Sequence, residues 1–310
     1  MQIHRGLENC DSQPAVITIG SFDGVHRGHR VVIDTMRNVA AERNIVSTVV
    51  TFEPHPREVL FPDEPPMKIL SSFEEKARLL EEAGVDRLVV LPFSVELAGM
   101  DYATFVKEIL IRQLNMDALV VGYDHSFGKD RKGNFKSLKV MSEELGFFLE
   151  QGRVFSENEI NVSSTKIRRA IENGDLATAG DYLGYGYGCR GVVSKGYSLG
   201  RTLGFPTANI LIDDERKLLP KVGVYAVRVH LRDGIYGGML DIGYRPTVRT
   251  DGQLSIEVHI FGLDRNIYGQ EISLTFVSRM RDEIRFSSKE ELVEQLEDDR
   301  KIACHLLNIL

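Results

Sequence analysis

The segment Gly20–His29, G-S-F-D-G-V-H-R-G-H, sets three glycines and two histidines directly after the apolar run Val16–Ile19. Gly20, Gly24 and Gly28 would let the backbone turn sharply and approach a ligand with no Cβ in the way. A helix opening at H-x-G-H would offer free N–H groups and a dipole that favours anions. His26 and His29 could then donate to phosphate oxygens and offset charge building on a departing pyrophosphate. The chemistry implied is phosphate handling, with nucleotidyl transfer from ATP as the leading reading. Paired histidines also suit zinc, but no third ligand is placed nearby.

A second phosphate candidate is V-S-S-T-K-I-R at Val162–Arg168. Ser163 is a suitable N-cap, and Lys166, Arg168 and Arg169 add charge that a bound anion would offset against the helix dipole. Two loops follow apolar runs. T-F-E-P-H-P at Thr51–Pro56 makes a stiff wall suited to an aromatic ring, and Gly122–Gly133 carries Asp124, Phe127 and several cations. In Ser255–Phe261, Ile256, Val258 and Ile260 alternate with Glu257, so Glu257 points away from the apolar face. A carboxylate there could take the proton of an attacking alcohol.

The elements positioning these residues fall into two textures. Val16–Ile19, Ser47–Phe52, Arg87–Leu91 and Ala118–Gly122 are short Val- and Ile-rich runs of the kind found in buried parallel strands. Between them His29–Arg43 (with Val32, Met36, Val39 and Ala40 on one face), Tyr102–Leu114 and Ser137–Leu145 read as helices. Such alternation implies an α/β fold with a doubly wound parallel sheet. Beyond about residue 185, Gly223–Leu231, Gly237–Ile242, Leu254–Phe261 and Glu271–Val277 read as strands, with turn signals at Asp233–Gly234 and Asp251–Gly252. A last amphipathic helix, Ser288–Leu307, carries Leu292, Leu296, Ile302 and Leu306. The second part is expected to be a small antiparallel β-barrel with a C-terminal helix. The boundary is placed in the glycine-rich Tyr182–Gly188, giving domains of residues 1–183 and 184–310.

The net charge of −7 over 310 residues argues against bulk attraction to nucleic acid or an anionic membrane surface. No apolar run reaches the ~18 residues needed to span a bilayer, and the first residues lack an apolar signal core. Cys10, Cys189 and Cys304 are scattered without metal-ligand spacing. A cytoplasmic enzyme with reduced thiols is expected.

Together the four N-terminal segments resemble the adenylyltransferase module of the bacterial bifunctional riboflavin kinase/FAD synthetases. The resemblance continues through G-R-T-L-G-F-P-T-A-N at Gly200–Asn209, D-I-G-Y-R-P-T at Asp241–Thr247, S-I-E-V-H-I-F at Ser255–Phe261 and R-D-E-I-R-F at Arg281–Phe286. It implies that Gly20, Phe22, Gly24, His26 and His29 hold ATP, with Ser164, Thr165 and Arg168 on its phosphates. Phe52, Pro54, Pro56, Asp124 and Phe127 would surround the flavin of FMN; His125 stands where many members carry an aromatic residue. In the second domain it implies ATP contacts from Gly196, Arg201, Gly204, Pro206, Thr207 and Asn209, with Thr207 on Mg2+. Glu257, Arg281 and Phe286 would face the flavin there, Glu257 acting as base, while His29 and Arg168 would serve catalysis in the first domain. The substrates implied are ATP, riboflavin and FMN. Two rivals are a nucleotidyltransferase for another phosphorylated substrate and a flavin-binding regulator without catalysis.

Overall fold

Apolar strand runs and amphipathic helices alternate along the first half of the computed structural model as their patterns demand. The structure describes all residues except 9, 11, 12, 124, 125, 153–155, 158, 159, 196–199, 201, 202, 245–253 and 310, and leaves out the side chains of 156, 157, 160 and 161. Asp124, His125, Gly196, Arg201 and the Asp251–Gly252 turn therefore lie outside the described residues. The chain divides into two compact units, Met1–Ser164 and Thr165–Leu310.

In the first unit the order is β1 (Gln2–Arg5), β2 (Ala15–Ile19), α1 (Arg27–Arg43), β3 (Val46–Glu53), α2 (Pro56–Leu60), α3 (Phe73–Glu82), β4 (Arg87–Pro92), α4 (Val95–Gly99) and α5 (Tyr102–Thr104). A π-helix (Phe105–Gln113), β5 (Met116–Val121), α6 (Phe135–Leu145), β6 (Phe148–Gln151) and a small ribbon of β7 (Ser156–Glu157) and β8 (Ile160–Asn161) follow. Six strands form a parallel sheet in the order β1-β4-β3-β2-β5-β6. All five residues of β2 are buried, as a strand covered on both faces requires. The sheet's chain order reverses between β2 and β5, and such a switch point opens a crevice at the carboxyl ends of the strands.

Helix α1 buries Ile33, Met36, Val39 and Ala40 and ends on Asn44 in the left-handed conformation. Ile33, not the expected Val32, completes that face; Val32 instead lines a cavity. Ser72 and Glu75 form a reciprocal capping box that starts α3. The expected helix Tyr102–Leu114 is a single turn of α-helix followed by the π-helix, which buries Phe105, Val106, Ile109 and Leu110.

The second unit opens within α7 (Ser164–Glu172), at Thr165, and continues with α8 (Leu176–Leu183). The strands β9 (Gly188–Ser194), β10 (Ala208–Ile212), β11 (Gly223–Leu231), β12 (Gly234–Tyr244), β13 (Leu254–Ile260) and β14 (Glu271–Arg281) close into a barrel in the order β10-β13-β12-β11-β14-β9. Leu231 pairs with Gly234, so Arg232 and Asp233 form the two-residue turn and Gly234 already belongs to the strand. Helix α9 (Lys289–Leu307) starts on Ser288, whose side chain accepts from Glu291 N. It packs Ala303 and Leu307 against Phe205, Ala226 and Met239 of the barrel. Ile302, expected on the packed face, is 47% exposed, while Asp299 is buried. The ion pair of Asp299 with Arg281 accounts for that inversion.

Candidate functional sites

The turn between β2 and α1 is a strained, buried structure. Phe22, Gly24 and Val25 all have positive φ (48°, 76° and 35°), a costly conformation for Phe and for β-branched Val. What holds it is Asp23, only 3% exposed. Its Oδ1 accepts from Leu70 N at 2.8 Å and Ser71 N at 3.1 Å, while Ser71 Oγ accepts from Gly24 N at 2.9 Å. Ser164 Oγ donates to the Asp23 carbonyl at 3.2 Å, which brings that one residue of the second phosphate motif to the turn. The sequence showed Asp23 but not its partner Ser71, which lies in a different segment.

His26 is the N-cap of α1: its Nδ1 accepts from His29 N at 3.3 Å. An accepting Nδ1 leaves Nε2 as the ring's N–H in the neutral form. The His26 and His29 rings stack at 3.6 Å between centroids, and Phe22 lies 5.1 Å from His29. One imidazole thus starts the helix and buttresses the other.

Phe22, His26 and His29 line a cavity of about 1140 Å³. Gly20, Phe22, His26, Gly28, His29 and Ser164 are on its wall; Gly24 is not. Thr165 and Arg168 follow Ser164 on α7, which continues into the second unit. Of the expected flavin-side residues, Phe52, Pro56 and Phe127 line the cavity, whereas Pro54 does not and is exposed. Two further aromatics join them: Phe93 meets Phe52 edge-on at 5.4 Å, and Phe105 of the π-helix meets Phe127 at 5.6 Å. The cavity wall thus combines glycines and histidines with several aromatic rings, and Lys129 and Arg131 are also on it.

In the barrel a cavity of about 290 Å³ is lined by Thr207, Asp241, Glu257, Arg281, Phe286 and Leu296, among others. Thr207 Oγ1 donates to Glu257 Oε2 at 3.2 Å. Glu257 pairs in register with Asn209 on β10 and with Asp241 on β12, so three polar side chains stand in a row across neighbouring strands. Asp241 was not singled out from the sequence. Its carboxyl is pushed up to about 6, first by burial, then by the negative charges of Glu283, Glu257 and Asp299, with Arg281 opposing.

Arg281 grips Asp299 of α9 with two donors, Nε to Oδ1 at 2.9 Å and Nη2 to Oδ2 at 2.7 Å. Asp299 is 1% exposed and also accepts from Gln295 Nε2 at 3.0 Å. Arg281 thus holds the terminal helix to β14 as well as facing the cavity, and a buried acid replaces the apolar residue that the helix pattern led one to expect. His259 also lines the cavity, and its pKa is lowered by burial and by Arg300, against the raising effect of Pro206 O. Pro206 and Gly204 are exposed; Asn209 is buried at 2%.

The protein oxygens around Thr207 are hydroxyl and carboxylate, a donor set that suits a hard divalent cation, which is commonly shared with substrate phosphates. Among the described residues no group of three His, Cys, Asp or Glu side chains forms a metal cluster.

Comparison with known proteins also finds two parts. A family model described as FAD synthetase matches residues 8–166, and one described as riboflavin kinase matches residues 183–307. The bifunctional riboflavin kinase/FMN adenylyltransferase of Haemophilus influenzae is 40% identical, covering 99% of this chain and 100% of its own. Its Escherichia coli counterpart is 37% identical (98% and 97%), and that of Bacillus subtilis 35% (93% and 91%). A crystal structure of a Streptococcus pneumoniae chain described as a macrolide-efflux protein matches at a TM-score of 0.87 and 29% identity, covering 98% of this chain and 99% of that one. Among the described residues no helix is long and apolar enough to cross a membrane. With both family models matched in order and relatives aligned from end to end, the chain belongs to the bifunctional riboflavin kinase/FMN adenylyltransferase family.

Proposed function

We propose that the chain makes FAD from riboflavin in two steps, with kinase chemistry in the barrel and adenylylation in the parallel-sheet unit. In the first step the ribityl hydroxyl of riboflavin attacks the γ-phosphorus of ATP, giving FMN and ADP. Glu257 takes the hydroxyl proton, and Thr207, hydrogen-bonded to it, would offer its hydroxyl oxygen to Mg2+. Bound Mg2+ would neutralise phosphate charge in the transition state. Asn209 orients the phosphates, and Phe286 and Arg281 face the flavin.

In the second step the FMN phosphate attacks the α-phosphorus of another ATP and pyrophosphate leaves, with no covalent enzyme intermediate. His29, at the start of α1, stabilises the leaving group together with the helix N–H groups. Phe52, Pro56 and Phe127 form the flavin-side wall. The phosphate contacts assigned to Thr165 and Arg168 rest on the V-S-S-T-K-I-R motif alone. The functional halves are residues 1–183 and 184–310, the enzyme is cytoplasmic, and it has no nucleic-acid or membrane partner.

The observation that carries the reading is the Thr207–Glu257 pair on the wall of the barrel cavity, with Asn209 and Asp241 beside it. A rival that adenylylates some other substrate has no use for that pair. The test is one incubation of purified protein with riboflavin, ATP and Mg2+, products separated chromatographically. FMN followed by FAD is expected, and the absence of both would overturn the proposal.

A further inference from the structure

Glu257 and His259 are two residues apart on β13 and so share a face of the strand. Each holds one of two consecutive residues in the segment before β10. Glu257 accepts from the Thr207 hydroxyl at 3.2 Å, and His259 Nδ1 lies 2.8 Å from the Pro206 carbonyl oxygen. A carbonyl can only accept, so His259 Nδ1 is the donor and the neutral ring is the Nδ1–H tautomer. The ring's plane is fixed by two edge-on aromatics, Phe205 at 5.3 Å and Phe261 at 5.7 Å.

The other side of the segment is closed by backbone. The Gly200 carbonyl accepts from Leu203 N at 3.1 Å and Phe205 N at 2.8 Å. A Cβ at Gly200 would fall 2.3 Å from Phe205 O, so only glycine permits this close approach. Backbone bonds therefore tie Leu203 and Phe205 to Gly200. From Phe205 to the start of β10 at Ala208, Pro206 and Thr207 are held by the two side chains of β13.

We propose that His259 is a positioning residue for riboflavin phosphorylation: by holding the Pro206 carbonyl it fixes where the Thr207 hydroxyl stands against Glu257. This rests on reading the barrel as the kinase. Its action is on the loop, through an N–H bond, and needs no change in protonation. Misplacing a phosphate-side group by about 1 Å can cost a reaction up to ~100-fold, so the effect is large enough to measure.

Two substitutions separate the hydrogen bond from the packing. His259→Phe keeps a ring between Phe205 and Phe261 but has no donor. His259→Asn loses the ring but keeps an N–H close to the position of Nδ1. The expected result is a fall of roughly tenfold or more in the phosphorylation kcat for the Phe variant, with the KM for riboflavin unchanged and most of the loss recovered in the Asn variant. Nitrogen NMR of the labelled wild-type protein should also show His259 as the Nδ1–H tautomer, a readout independent of turnover and of whether either variant folds. A Phe variant within twofold of wild type, equal losses in both variants, or an Nε2–H tautomer would each overturn the proposal. Wild-type protein that forms no FMN would instead sink the kinase reading beneath it.

Discussion

Glu257 Oε2 accepts a hydrogen bond from Thr207 Oγ1 at 3.2 Å, joining the middle of β13 to the last residue before β10. Both side chains line the barrel cavity, where the proposed phosphoryl transfer would take place. An amide at this position can still accept from Thr207 but cannot take up a proton.

Glu257→Gln is accordingly expected to lower riboflavin phosphorylation by ~10²- to 10⁴-fold while leaving the conversion of supplied FMN to FAD intact. Chromatography of the two reactions side by side decides it. Normal phosphorylation by this variant would remove Glu257 from the base role.

His29→Ala should show the opposite pattern, with FAD formation down by roughly 10²- to 10³-fold, the scale of losing one transition-state donor. FMN formation from riboflavin should be unaffected. Loss of both activities in a folded variant would show that the two chemistries are not divided as proposed.

Much of this was readable in advance, and the gaps have physical causes. The alternation in β13 put Glu257 off the apolar face, and the glycine pattern marked the turn before α1. The fifty-residue separation between Thr207 and Glu257 is bridged only by the β10–β13 register, which no local pattern carries. Asp23 was visible as a letter in the turn, but its role depends on Ser71, a partner of long sequence separation. Hydrophobic periodicity chose Ile302 over Asp299 for the packed side of α9 because periodicity does not see Arg281. The spacing of Phe105, Val106, Ile109 and Leu110 fits an α-helix equally well, so the π-helical hydrogen bonding was not legible. Strand β1 is short, polar and at the sheet edge, and gave no signal.

Asp23→Ala would leave the amides of Leu70 and Ser71 without the acceptor that holds them. The expected cost is about 1–3 kcal/mol, the usual penalty for stranding buried donors. A lower thermal transition should accompany a higher KM for ATP in FAD formation, with riboflavin phosphorylation kinetics unchanged. An unaltered KM would mean that the turn keeps its shape without Asp23.

Asp241 supplies a pH dependence. Its carboxyl stands at about 6 in the folded barrel against an ordinary 3.8. At low pH the group is protonated in both folded and unfolded chains and costs nothing. As pH rises from about 4 to 6 the unfolded chain ionises first, so folding becomes less favourable, and the loss persists above that range, reaching roughly 3 kcal/mol. Asp241→Asn should therefore raise Tm at pH 8, with the gain shrinking towards zero near pH 4. A gain independent of pH would point to packing rather than charge.

The row Asn209–Glu257–Asp241 has a consequence for how such a barrel can diverge. Neighbours of Glu257 along β13 are Ile256 and Val258, and side chains alternate between the two faces. An insertion or deletion of one residue inside β13 would exchange the carboxylate for a branched alkyl group and turn the apolar row outward together. In the closed ring β13 is paired on both sides, with β10 and β12, so a slip would have to be accommodated by both partners. The β11–β14 pair absorbs register shifts at Val224/Tyr225 and Ala226/Val227, away from this row; inside β13 a one-residue change in length is instead expected to remove the carboxylate from the row in a single step.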